Sequence, residues 1–217
     1  IMAGDKFIES SYEKALIALF QELGYTYECG YDVERDYREP FYREVLEASL
    51  KRLNKGASAD ILAEGLKMVT NLNEGTLIQD NRRFTEMLQN GFAVPYLENG
   101  ENRTATLRLV DFEQPLANDF RIVNQWSVEE LGKIRCDMVV MINGLPLVVV
   151  ELKTASDENV TIEDAYLQIR NYMKKCPSLF GYNAFCVISD LAQSKAGTIT
   201  SKFERFMEWK SEEGNYE

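Results

Sequence analysis

Apolar side chains first recur at helical spacing: Tyr12, Ala15, Leu16, Leu19, Phe20 and Leu23, with Gly24 behind them as a stop. Residues three and four apart share a helix face, so the pattern predicts an amphipathic helix over residues 9–23. A short strand over 25–29 follows. Three further helices are predicted over 41–53, 58–71 and 79–90, with Pro40 and Ser58 suited to helix starts and Gly56, Gly75 and Gly91 at the breaks. From residue 92 the period shortens to that of strands. Residues 92–97 and 104–110 flank Glu98-Asn99-Gly100-Glu101, a hairpin signal, and 120–128 reads as extended. Residues 138–142 and 147–152 flank Asn143-Gly144, a stronger hairpin signal. A helix over 162–176, a strand over 184–188 and a last helix over 201–210 complete the order. This succession predicts a mixed α/β fold around a central sheet, in one domain with a helical insertion over about residues 40–90.

The most apolar strand ends in charge. Val148, Val149 and Val150 run directly into Glu151, Leu152 and Lys153. Three valines favour a buried strand, and Glu151 and Lys153 then project from one face of it. Charge against a core is costly unless it is paired or holds a metal. Folding the hairpin brings Asp137 to the same end of the sheet. Two carboxylates can hold Mg²⁺ through oxygen while leaving room for water and a phosphate oxygen. Lysine beside that water can orient it and balance charge developing on phosphorus. Asp137, thirteen intervening residues, then Glu151 and Lys153 give the D-(D/E)-x-K spacing of metal-dependent nucleases. A plain Glu151–Lys153 ion pair at a strand end satisfies the same short pattern.

Two further features bear on that choice. Glu13 lies on the opening helix, with Glu9 one turn before it on the same face, so the helix can deliver a third carboxylate. Gln168 and Tyr172 lie at i and i+4 on the helix after Lys153, where an amide and a phenol can bond the carboxylates or a DNA phosphate. The register of the hairpin sets a condition. A two-residue Asn143-Gly144 turn continued without irregularity puts Asp137 and Glu151 on opposite faces. The site therefore requires a three-residue loop, Ile142-Asn143-Gly144, or a bulge near Pro146.

Composition narrows the chemistry. The 217 residues contain no histidine, which removes Ser-His and Cys-His catalysis and His-ligated zinc. The four cysteines, Cys29, Cys136, Cys176 and Cys186, show no C-x-x-C pair and read as reduced, packed thiols of a cytoplasmic protein. No apolar run approaches a membrane span. The formal charge of −11 argues against an overall basic surface for nucleic acid, but allows a local basic groove or an acidic metal site.

The ordered motifs carry a resemblance. DMVVMINGLPLVVVELK (137–153) is similar to the signature of the N-terminal nuclease domain of the R subunit of type I restriction enzymes, a PD-(D/E)XK nuclease. NRRF (81–84), VDFEQPLANDF (110–120), VNQW (123–126), QIRNY (168–172), LFGYNAFCVISD (179–190) and FERFMEWK (203–210) match it in order. The resemblance spans essentially the whole chain, least tellingly over 31–73. It implies a restriction-endonuclease-like core and a Mg²⁺-dependent endonuclease acting on double-stranded DNA, with Mn²⁺ as a substitute metal. In that reading Asp137 and Glu151 are metal ligands and Lys153 is the catalytic lysine. Glu13, or failing it Glu9, is the helix acid, and Gln168 and Tyr172 form the auxiliary motif. The family usually has proline before the catalytic aspartate, where this chain has Cys136. In the family, ATP drives a translocase elsewhere in the R subunit, and methylation (M) and specificity (S) subunits choose the sequence. No G-x-x-x-x-G-K-[ST] loop occurs here, so the chain is expected to be a piece of a longer R subunit, cutting without its own sequence specificity. The rival readings are a nuclease-fold module that binds or docks DNA without cutting it, and a junction-resolvase-like nuclease.

Overall fold

The structure is a computed structural model that describes residues 3–153, 161–190 and 192–208, with side chains from residue 11 onward. Helix α1 (Ala3–Glu22) leads into β1 (Thr26–Cys29). Helices α2 (Arg43–Leu53), α3 (Ala59–Thr70) and α4 (Leu77–Asn90) follow, with the Ser58 and Thr76 side chains capping α3 and α4. The hairpin of β2 (Phe92–Glu98) and β3 (Glu101–Leu107) forms a sheet of its own. Strands β4 (Phe120–Glu129), β5 (Lys133–Ile142) and β6 (Leu145–Leu152) come next. Helices α5 (Ile162–Lys175) and α6 (Pro177–Gly181) then lead to β7 (Phe185–Ser189), β8 (Ser194–Gly197) and β9 (Met207–Glu208).

The main sheet is seven-stranded and mixed, in the order β1-β4-β5-β6-β7-β8-β9. β4, β5 and β6 are antiparallel neighbours, while β6 and β7 run parallel across the α5 crossover. One face buries Ile122, Met138, Val140, Val150 and Leu152 under Ile17 of α1. The other buries Val123, Val139, Met141 and Val149 against Ile162, Ala165 and Ile169 of α5. Helices on both faces explain why β6 reads as a continuous apolar run. Helices α2–α4 and the β2–β3 hairpin pack a further cluster around Phe84, Leu46 and Val94, which reaches the main sheet through Leu145 and Leu147. The expected helical insertion thus shares its core with a hairpin.

The mixed α/β expectation holds. Three expected elements differ, the first being the strand over 104–110, which instead starts at Glu101 and ends at Leu107. β5 begins at Lys133 rather than at residue 138, because its first half carries Lys133 and Arg135 on an exposed face and its alternation slips at Asp137. The described part of the expected last helix, over 201–210, contains only a short 3₁₀ turn (Phe203–Arg205) and β9. Backbone pairing of Lys195 with Glu208 and of Ala196 with Met207 overrides local propensity there, and Phe206 is buried against Tyr166.

Candidate active site

The Asn143-Gly144 turn has two residues, and both are left-handed, with φ of 54° and 80°. The expected three-residue loop is therefore wrong. The alternative, a bulge near Pro146, is what the protein uses. Ile142 pairs with Leu145 and Met141 with Pro146, but Val140 pairs with Val148, leaving Leu147 as the extra residue. Val139–Val149 and Met138–Val150 follow, so the next position along sets Asp137 against Glu151. The turn is itself built into the fold. Asn143 is fully buried, accepting from Asp119 N (2.8 Å) and Arg52 Nη2 (2.9 Å) and donating to Leu109 O (2.8 Å).

A second irregularity shifts the aspartate out of the β4–β5 register. In the β4–β5 ladder Asn124 pairs with Met138 and Trp126 with Cys136, while Gln125 and Asp137 between them are passed over. Gln125 has φ of 53°, uncommon for a residue other than glycine. The alternation of both strands slips there. Val123 and Val139 face α5, and so do Trp126 and Cys136 beyond the kink. Asp137 thus leaves the ladder, and its Oδ2 accepts the Leu152 N–H at 2.8 Å. On the far side of β6, Lys153 N donates to Ser189 O at 2.8 Å.

Glu151 is 2% exposed. Its Oε1 accepts from Lys153 Nζ at 2.8 Å, while its Oε2 is buried with no hydrogen-bond partner among the described residues. Burial, and then the neighbouring Asp137 carboxylate, push the Glu151 carboxyl up to about 8, and Lys153 and then the Tyr172 hydroxyl offset only part of this. Two carboxyl groups and one ammonium are thus gathered at this strand end.

Gln168 and Tyr172 meet as their spacing predicts, Gln168 Nε2 donating to Tyr172 Oη at 3.1 Å. The Tyr172 hydroxyl donates in turn to Arg135 O at 2.8 Å, two residues before Asp137. Its one proton goes to the β5 backbone, yet the hydroxyl also stands near enough to the Glu151 carboxyl to favour its ionised form, while that carboxylate, after burial, raises the phenol further. Glu13 accepts from Asn124 Nδ2 and Gln125 Nε2, the residues at the kink opposite Asp137. Both amides hold Glu13 against the kink. The side chain of Glu9 lies outside the described residues. Cys136 is fully buried, and burial first, then Glu151, hold its thiol well above the ordinary range, as suits a packed residue.

Sequence reasoning missed several residues that build the site. Tyr12 Oη on α1 lies 2.9 Å from Ser189 Oγ, tying the helix to the strand that takes the Lys153 N–H. Asn124 and Gln125 lie within VNQW, but nothing in that motif announces a left-handed residue in mid-strand.

The mixed seven-stranded sheet flanked by helices is consistent with a nuclease-like α/β fold, and two carboxylates and a lysine stand at one of its strand ends. The chain belongs to the family described as "Type I restriction enzyme R protein N terminus", which it matches over residues 6–205. It is 33% identical to the putative type I restriction enzyme MjaIXP endonuclease subunit of Methanocaldococcus jannaschii, over 94% of this chain and 20% of that protein. It is 32% identical to the type I restriction enzyme HindI endonuclease subunit of Haemophilus influenzae, over 93% of this chain and again 20% of the relative. The chain spans about one fifth of the length of these relatives.

Proposed function

We infer that this chain is a divalent-metal-dependent endonuclease domain that hydrolyses DNA phosphodiester bonds. The observation that carries the reading is Glu151: a buried carboxylate, pushed up to about 8 beside Asp137, with one oxygen unpartnered among the described residues and the other on Lys153. A hard cation suits that oxygen set, and Mg²⁺ or Mn²⁺ would be held by Asp137 and Glu151. A bound divalent ion there supplies charge neutralisation for a phosphate oxygen.

The chain's own residues do the rest. Leu152 N–H holds Asp137 in place through Oδ2. Lys153 is anchored through its backbone to Ser189 and keeps a compact ammonium on Glu151, where it would orient an attacking water and meet charge building on phosphorus. Tyr172, oriented by Gln168, fixes the strand carrying Asp137. In this reading the domain cuts without a sequence choice of its own. In the intact R subunit, an ATP-driven motor and the M and S subunits would bring double-stranded DNA to the site. The relatives' names as endonuclease subunits favour this reading over a docking module.

The test is nicking of supercoiled DNA by the chain with Mg²⁺ or Mn²⁺. Wild type should nick and Asp137→Ala should not. Binding without nicking by wild type would decide for the non-catalytic module.

A further inference from the structure

Arg135 and Tyr31 form an exposed pair that the chemistry of the site does not use. Tyr31 Oη accepts from Arg135 Nη1 at 2.5 Å, and the ring centroid lies 5.8 Å from the guanidinium carbon. Tyr31 is 57% exposed and Arg135 is exposed. Arg135 forms no ion pair among the described residues, in a chain with 35 acidic and 24 basic side chains. Most exposed arginines here have a carboxylate, as Arg38, Arg82 and Arg103 do. We propose that Arg135 and Tyr31 clamp a backbone phosphate of DNA next to Asp137, a proposal that rests on the nuclease reading above.

The position supports this occupant. The β5–β6 ladder ends at Met138–Val150, so the β4–β5 hairpin runs on past β6 toward Lys133. Arg135 lies on that extension, two residues from Asp137, or about 7 Å along an extended strand. A DNA strand laid along this end of the sheet would meet the pair. The pair is also held in place. Tyr172 fixes the Arg135 carbonyl. Gly30 N donates to Asn124 O at 2.8 Å, and a Cβ on Gly30 would stand 2.7 Å from Gln125 O. Only glycine lets the chain cross the Gln125 kink so closely, and that crossing sets Tyr31 over Arg135. One guanidinium N–H is committed to Tyr31. The remaining donors of the fork, with the Tyr31 hydroxyl proton, match the acceptor oxygens of a phosphate. Lys133 is less suited, because Glu129 stands directly across from it.

The test is binding of a fluorescent DNA duplex of arbitrary sequence to the 217-residue chain in EDTA, by anisotropy across a salt series. Arg135→Ala should weaken binding about five- to tenfold near 0.1 M salt and lower the slope of log K against log [salt] by about 1. Arg135→Lys should keep the slope while losing about two- to threefold in affinity, because it retains charge but not the fork. Arg103→Ala removes an equal charge on β3 and should leave binding unchanged. Melting temperatures check that each variant is folded, and should Arg135→Ala melt early, Arg135→Lys and Tyr31→Phe carry the test. Tyr31→Phe should weaken binding about twofold without changing the slope. If wild type binds and nicks DNA but the Arg135 and Tyr31 variants match it, or if Arg103→Ala costs as much as Arg135→Ala, the clamp is overturned and the nuclease reading stands. An acidic protein surface then becomes the pair's partner. Wild type that neither binds nor nicks overturns both.

Discussion

Lys153 shows how much depends on the shape of one side chain. Its ammonium lies 2.8 Å from Glu151 Oε1, and its backbone is tied to Ser189. If it only balanced Glu151, arginine would serve as well. If its compact ammonium orients water near phosphorus, the planar and larger guanidinium cannot take its place. Lys153→Arg is therefore expected to lower DNA nicking by at least about 100-fold, a loss on the scale of removing one aimed donor. Circular dichroism and melting should stay close to wild type. Retained nicking in Lys153→Arg would reduce the residue to an ion-pair partner.

At the scale of elements, two supports hold the β5–β6 hairpin in the register that the site needs. The first is the turn. Gly144 has φ of 80°, and a Cβ there would lie 2.6 Å from both Leu46 N and Tyr42 O of the α2 region. Backbone cannot move aside cheaply, so Gly144→Ala should destabilise the chain by at least about 2 kcal/mol in urea titrations. A change below about 0.5 kcal/mol would mean that the turn relaxes without effort. The second support is α5. Tyr172→Phe leaves the Arg135 carbonyl without its donor, a cost of about 1–3 kcal/mol if the group stays buried. It should slow nicking at saturating DNA while leaving DNA affinity intact. The reverse pattern, weakened affinity with an unchanged saturated rate, would put the phenol on the DNA instead.

Over the whole molecule, the site and the stability of the fold are opposed. Taking Glu151 into the sheet beside Asp137 disfavours its ionised form, and a ligand that binds only the folded state offsets this by mass action. Mg²⁺ or Mn²⁺ at about 100 times its dissociation constant should stabilise the wild-type chain by about 2.7 kcal/mol. Glu151→Gln removes the ionisable carboxyl, whose upward shift costs stability near neutral pH, while keeping its shape. In EDTA it should melt above wild type, by about 1 kcal/mol, and it should lose the metal-dependent rise. A metal-induced rise that survives in Glu151→Gln would place the ion elsewhere.

By itself, the sequence determined the family and most of the elements. Local signals sufficed for α1–α5, for both Asn-Gly hairpins and for the valine strand ending in Glu151 and Lys153, because helical and strand periods and turn residues are short-range properties. The parity count along the hairpin even showed that an irregularity had to exist. Which irregularity was a matter for tertiary structure. Packing Gly144 under α2 and burying Asn143 hold the two-residue turn, so the correction falls on Leu147 as a bulge. The Gln125 kink, the Glu13 contacts, the Tyr172–Arg135 bond and the β8–β9 pairing join residues far apart in the chain. Such long-range contacts are selected by the packing of the whole fold against local propensity, and no local pattern encodes them.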